Sequence, residues 1–245
     1  MEPGSYNLLQ LEAPDVEQNE LRSAVRWRIK DLIDFHIDDA VIDVFDMPPQ
    51  SLRTQTRLMY VVAARASVIQ QRTALLEEAG LRPQVVDITE LALRNLLSLF
   101  PEDVDGVVLL YAWAQEGLLT LNRQTLLYLA RNIEFNLAEA VSRQAPADDA
   151  GFPSPAAESV LLEVQRSMDY FEAHFAQAPI KQMLIAAPAE AAAGLGPMMS
   201  SNLGIKARAL DLAEVMDLPG SGLDGAWVDA LPLIGAALRS EVRSL

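Results

Sequence analysis

Two hydrophobic periods alternate along this chain, and the switches between them mark out its elements. Tyr6 to Leu11 reads as a strand. Apolar residues at Leu21, Val25, Ile29, Leu32 and Ile33 then recur at helical spacing and predict a helix from about 16 to 33. Asp15 and Gln18 suit its N-cap and N3 positions, with Pro14 just outside. Ala40 to Phe45 alternates, with Val41, Asp43 and Phe45 on one face, and Met47-Pro48-Pro49 stops it. Leu58 to Ala64 is a Val-rich run suited to a buried strand. A helix from about Ala66 to Ala79 follows, closed by Gly80 and by Pro83 three residues on. Gln84 to Ile88 reads as another strand, and Thr89 with Leu91 to Phe100 as another helix. The acidic stretch Pro101 to Asp105 is the expected domain joint.

The second half has a clearer grammar. Val107 to Trp113, Leu118 to Asn122 and Leu126 to Ile133 are strand-like runs separated by Gln115-Glu116-Gly117 and Asn122-Arg123-Gln124, which predicts an antiparallel meander. Pro146 to Pro155 reads as a loop. Val160, Leu161, Val164, Met168, Phe171 and Phe175 place a helix over 158 to 175. Strand Gln182 to Ala186, helix Ala189 to Asn202, strand Lys206 to Leu210 and a last helix from about Trp227 to Val242 complete the order. A meander followed by alternating helices and strands implies an α/β domain whose mixed sheet is covered on both faces.

Charge narrows the function classes. The chain has 245 residues, with 34 Asp and Glu against 19 Lys and Arg, a net charge of −15. Phosphate backbones require a basic face, so nucleic acid is not an expected partner, nor is an anionic lipid surface. There are no cysteines, which removes disulfides and thiolate metal sites. No apolar run approaches the ~20 residues of a membrane span, and residues 1 to 10 show no signal peptide. A soluble, acidic, cytoplasmic protein without direct membrane insertion is expected.

Catalytic chemistry is hard to assemble from these residues. The two histidines, His36 and His174, share no metal-ligand spacing, and each suits a solvated or helix-end position. Asp31, Asp34, Asp38, Asp39, Asp43 and Asp46 scatter over a helix end, a turn and a strand face, as a solvated acidic surface would. Ser5, Ser67 and Ser98 have no nucleophile-elbow context, and Gly194 to Met199 contains no GxGxxG. No catalytic residue, metal ligand or cofactor site is expected. Trp27 and Lys30 fall off the apolar stripe of their helix. Trp27 then either packs under a neighbouring strand or serves as an aromatic anchor beside a groove.

The block Ala24 to Phe45, AVRWRIKDLIDFHIDDAVIDVF, resembles the MshI/PilM-like family of type IV pilus biogenesis proteins, and more distantly the cytoplasmic part of GspL of type II secretion. The similarity continues through LLEEAGLRPQVVDITELAL and closes on LPLIGAALR, Leu231 to Arg239. The resemblance implies an actin-like fold of two ribonuclease-H-like subdomains with mixed sheets. Residues 1–104 would form a first subdomain that is incomplete at its start and carries an inserted αββαβ subdomain over about 16–88. Residues 105–245 would form the second, βββαβαβα.

Three nucleotide-binding elements of that superfamily are missing or replaced here. No Asp-Gly phosphate turn precedes Tyr6. Tyr111-Ala112-Trp113 stands where relatives have Asp-Ile-Gly, and Ala186-Ala187-Pro188 replaces the adenosine-side glycines. A non-enzymatic adaptor of MSHA-type pilus assembly is therefore expected, peripheral at the inner face of the inner membrane. The alternatives are a divergent actin-like ATP-binding protein and a GspL-like secretion adaptor. The resemblance implies as partners the short cytoplasmic tail of a PilN-like bitopic membrane protein and, further, the pilus assembly ATPase. Trp27, Lys30, Phe35 and Tyr60 are the expected tail contacts. An exposed first strand and an uncovered helix over 91–100 would drive homodimerisation through Leu9 and Leu97.

Overall fold

The computed structural model describes residues 1–17, 19–50, 57–141, 154–218 and 227–240. The chain divides into two compact units, Met1–Thr89 and Glu90–Leu245. The expected joint at 104/105 lies inside the second unit, because Leu93, Leu96, Leu97 and Phe100 all belong to that unit's core. The acidic stretch is itself a short helix with Glu102 and Asp103 buried.

The first unit contains β1 (Tyr6–Glu12), α1 (Leu21–Ile29), β2 (Ala40–Asp46), β3 (Leu58–Arg65) and α2 (Ala66–Glu78). Its sheet has the order β1-β3-β2, antiparallel throughout, so β1 and β2 are edges among the described strands. One face is sealed by α1. Leu21, Val25 and Ile29 pack in one buried cluster with Val44, Met59, Val61 and Ala63, and Leu9, Leu11 and Ile42 border it. Full burial of side chains of this size is worth about 1.5–3 kcal/mol each.

Two expectations for this unit change. Helix α1 is shorter than 16–33 and is preceded by Glu20, whose side chain makes no cap, while the expected N3 residue Gln18 lies outside the described residues. Before it, Val16 N–H bonds Pro14 O and Glu20 N–H bonds Glu17 O, which are isolated turns. Residues Gln84 to Ile88 form no strand, since no described strand lies alongside to pair with them. Helix α2 ends as expected: Gly80 takes φ +79°, its N–H bonds Glu77 O, and Leu81 N–H bonds Leu76 O.

The second unit is built on a five-stranded sheet. Helix α3 (Thr89–Leu97) and α4 (Glu102–Asp105) lead into β4 (Val107–Trp113), β5 (Glu116–Arg123) and β6 (Leu126–Glu134). Helices α5 (Leu137–Val141) and α6 (Pro155–Phe175), β7 (Gln182–Ala186), α7 (Ala189–Leu203), β8 (Lys206–Ala209) and α8 (Trp227–Ala237) follow. The strand order is β6-β5-β4-β7-β8, with β4–β5–β6 antiparallel and β7 and β8 parallel to β4. This is the ribonuclease-H-like arrangement expected of an actin-like half.

Helices cover both faces of that sheet. Leu93, Leu96, Leu97, Val228 and Leu231 of α3 and α8 pack on Val107, Leu109, Tyr111 and Leu184. Helices α6 and α7 cover the other face, where Tyr128 meets Phe171 and Phe175 edge-on at 5.1 and 5.0 Å. Ser154 caps α6 by accepting from Ala157 N–H, which starts it at Pro155. Most of the expected loop before it lies outside the described residues, as does the predicted end of the last helix beyond residue 240. Helix α5 was not expected; Asn136 starts it by accepting from Glu139 N–H. At α8, a Cβ on Gly235 would collide with the backbone carbonyl of Ala92.

Candidate functional site

Helix α1 has a buried side and an open one, and the open side carries Trp27 at 74% exposure. Three arginines fix the helix. Arg22 pairs with Asp43 at 2.9 Å, Arg26 donates to Ile37 O at 2.6 Å and Arg28 donates to Glu12 O at 2.9 Å. These tie α1 to β1, to β2 and to the turn between α1 and β2, so Trp27 projects from a held helix with its indole in solvent. Trp is usually well buried, and an unburied one on a fixed helix is unusual. Lys30, also exposed, has only a 4.0 Å approach to Asp31.

Phe35 is half-buried against the first unit's core, and the Arg65 guanidinium lies 4.9 Å above its ring. Tyr60 does not join this surface. It is 1% exposed, stacked on Phe45 at 5.0 Å, and its hydroxyl accepts from Gln10 Nε2 at 3.2 Å. As a β3 residue in the middle of the sheet, it offers no side-chain surface to a partner. Leu32 and Val41, which the periodicity assigns to a helical stripe and a strand face, are exposed. The helix stops at Ile29, so Leu32 loses its place in the stripe.

The two residues expected to drive self-association separate as well. Leu9 is on edge strand β1, half-buried against the first unit's core. Leu97 is 0% exposed within the second unit's core, so a charge there would disrupt folding and would not probe a surface. Exposed apolar side chains occur instead at Leu75, Leu76, Leu81, Val85 and Val86, on and after α2, a helix with no buried residue.

In the second unit, the ends of β4 and β7 are where a nucleotide would sit in an actin-like half. There the rings of Tyr111 and Trp113 lie 5.0 Å apart, at the same core against which Met216, Leu218 and Trp227 pack. Burial, and then the charge of Asp229, pushes the Tyr111 hydroxyl up to about 12. Ala186 and Ala187 are buried, and Pro188, at the N-cap of α7, has no N–H to give. These groups offer neither a metal-holding carboxylate on the strand nor an open backbone cradle.

The remaining polar candidates are occupied locally. His36 Nδ1 accepts from Asp38 N–H, and His174 stacks on Tyr170 at 3.9 Å. Asp34, Asp43 and Asp46 pair with Arg65, Arg22 and Arg57. No group of three or more potential metal-ligating side chains occurs among the described residues. No helix among them is long and apolar enough to cross a membrane.

Residues 10–112 match the family model of the type IV pilus assembly protein PilM. No curated protein matches the sequence. Among solved structures, a PilM-PilN type IV pilus biogenesis complex is similar at a TM-score of 0.70 and 22% identity, over 96% of this chain and 76% of that one. A Bacteroides thetaiotaomicron protein with an actin-like ATPase fold is similar at 0.51 and 7%, over 95% and 71%. The cytoplasmic domain of EpsL, an inner-membrane component of the Vibrio cholerae type II secretion system, aligns at 0.45 and 12%, over 98% and 73%. The chain shares the actin-like fold of the first two of these structures, and its residues 10–112 are similar to PilM.

Proposed function

We propose that this protein is a non-enzymatic adaptor in assembly of an MSHA-type type IV pilus. It would sit at the cytoplasmic face of the inner membrane and hold the short cytoplasmic tail of a PilN-like membrane protein. The observation that carries this reading is the unburied indole of Trp27 within the PilM-like stretch. Binding hot spots are enriched in tryptophan. Helix α1 lies beside β2, an edge strand among those described, and an extended tail can use such an edge while placing an apolar side chain against Trp27. Lys30 and Phe35 are the further contacts, and the similarity to a PilM-PilN complex supports the class of partner.

Calorimetry with a peptide of the partner's tail tests this. Trp27→Ala is expected to weaken binding by about 2 kcal/mol, roughly thirtyfold, with the fold kept. Unchanged affinity would remove α1 from the site. The absence of enzymatic activity rests on Tyr111, Trp113 and Pro188. Millimolar Mg-ATP is expected to give no hydrolysis and no thermal shift, whereas a ligand at a hundredfold its Kd would add about 2.7 kcal/mol of stability.

A further inference from the structure

At the opposite end of the second unit's sheet from Tyr111 and Pro188, a cleft of about 420 Å³ opens. It lies where β4, β7 and β8 begin and β5 ends, lined by Asp105, Arg123, Pro179, Lys181, Gly204 and Lys206 among others. In a chain with 34 acidic and 19 basic residues, three cations meeting one acid is a local inversion of charge. Lys181 and Lys206 are held side by side, since Lys206 N–H donates to Lys181 O at 2.8 Å. Neither lysine has an ion-pair partner among the described residues.

Arg123 adds the geometry. Its side chain is buried, with the residue 9% exposed, and Nη1 donates to Gln177 Oε1 at 3.3 Å and to Ala178 O at 3.1 Å. Nε and Nη2, the adjacent pair that forms the fork of a guanidinium, find no acceptor among the described residues. Gly106, beside it, takes φ +98°, and a Cβ there would meet Ile180 at 3.0 Å before it reached the Arg123 Nε at 3.5 Å. Neither Nε nor Nη2 is among the buried atoms left without a partner, so the fork meets solvent in the cleft, where an anion can take the place of water.

We propose that this cleft is an anion site for a small phosphoryl-bearing molecule, gripped by the Arg123 fork and flanked by Lys181 and Lys206. A phosphate monoester carries about −1.5 to −2 charge at neutral pH, which matches the lining's excess of two positive charges. The planar fork takes two phosphoryl oxygens, and the lysines act as point charges at the rim. The site lies wholly in the second unit and is independent of the tail-binding reading.

The test is NMR of the full ¹⁵N-labelled chain, titrated with inorganic phosphate and with pyrophosphate at ionic strength held constant with NaCl. Saturable shifts are expected at the amides of Gly106 and Gly204, tighter for pyrophosphate. A Lys181→Ala/Lys206→Ala variant, altered only at exposed side chains, is expected to bind at least about tenfold more weakly. Arg123→Lys, which keeps the charge and loses the fork, is expected to weaken binding too. Shifts no larger than NaCl alone produces would overturn the proposal. So would equal affinity in the double lysine variant, or shifts centred on Tyr111, Trp113 and Ala187.

Discussion

In the second unit the central strand β4 is buried from Val107 to Ala112, with helices over both faces. In the first, β3 is buried almost as deeply, yet the helix that directly follows it, α2, contributes no buried residue. Leu75 on α2 is 68% exposed, while Leu93 and Leu97 on α3 are fully enclosed. All three are leucines on leucine-rich helices. Apolar content and helical spacing therefore tell that a helix has an apolar face, and only the surroundings tell whether that face is spent on a core. One unit concentrates its hydrophobic residues in packing; the other leaves many on view.

That contrast can be broken most directly in the second core. Phe171→Ala removes a ring enclosed by α6 and β6 and is expected to cost about 3–5 kcal/mol, read from urea unfolding followed by the near-UV signal. A loss below about 1 kcal/mol would mean that this core is loosely packed. Gly235→Ala comes next, at about 3 kcal/mol, because its new methyl meets the Ala92 backbone and not a movable side chain. Thermal unfolding, with Ala236→Gly as a control for helix propensity, checks it.

A smaller effect separates buried charge from buried hydrocarbon. Desolvation raises the pKa of Asp103, against the pull of the Thr125 N–H that its Oδ2 accepts at 2.7 Å. The folded chain thus holds this proton to higher pH than the unfolded chain does. Its stabilising effect is complete below the ordinary carboxylate value and disappears as pH rises through the raised one. Asp103→Asn keeps an acceptor for Thr125 without a charge. The stability difference, variant minus parent, is expected to grow as pH rises through that window and then level off. A difference that is flat with pH would show that burial does not govern this carboxyl.

The smallest effect belongs to the first unit. Leu75→Ala is expected to change stability by no more than about 0.5 kcal/mol, against about 2–5 kcal/mol for Leu93→Ala measured by the same denaturant titration. Similar costs at the two sites would erase the distinction between the helices.

The second unit was the more legible in sequence, for physical reasons. Met183 to Ala186 and Val107 to Trp113 are continuous apolar runs because their strands are covered on both faces, and turns bracket them cleanly. The turn between β5 and β6 was found from its polar residues. Its conformation, with Gln124 and Thr125 both at positive φ, was not legible, because Asp103 enforces it from elsewhere in the chain through Thr125 N–H and Gln124 N–H. In the first unit, Gln84 to Ile88 has strand composition but pairs with no described strand, and composition cannot report whether a neighbour lies alongside. The exposure of Trp27 and Lys30 was legible, since both fall off the apolar stripe. Tyr60 was misplaced because an aromatic on a half-buried sheet can face either way, and here Phe45 and Gln10 enclose it.

Helix α2 also has a temporal consequence. Its fixings are the Arg72–Glu2 pair at 2.9 Å, the closing turn at Gly80 and a limited contact with β3, and no fully buried side chain is uncovered when it opens. Thirteen residues are close to the shortest length at which a helix holds in water by itself. Its amides should therefore exchange with deuterium through brief local opening, long before those of β4 in the same molecule. A protease would reach its backbone more readily than that of β4, which stays paired in the five-stranded sheet.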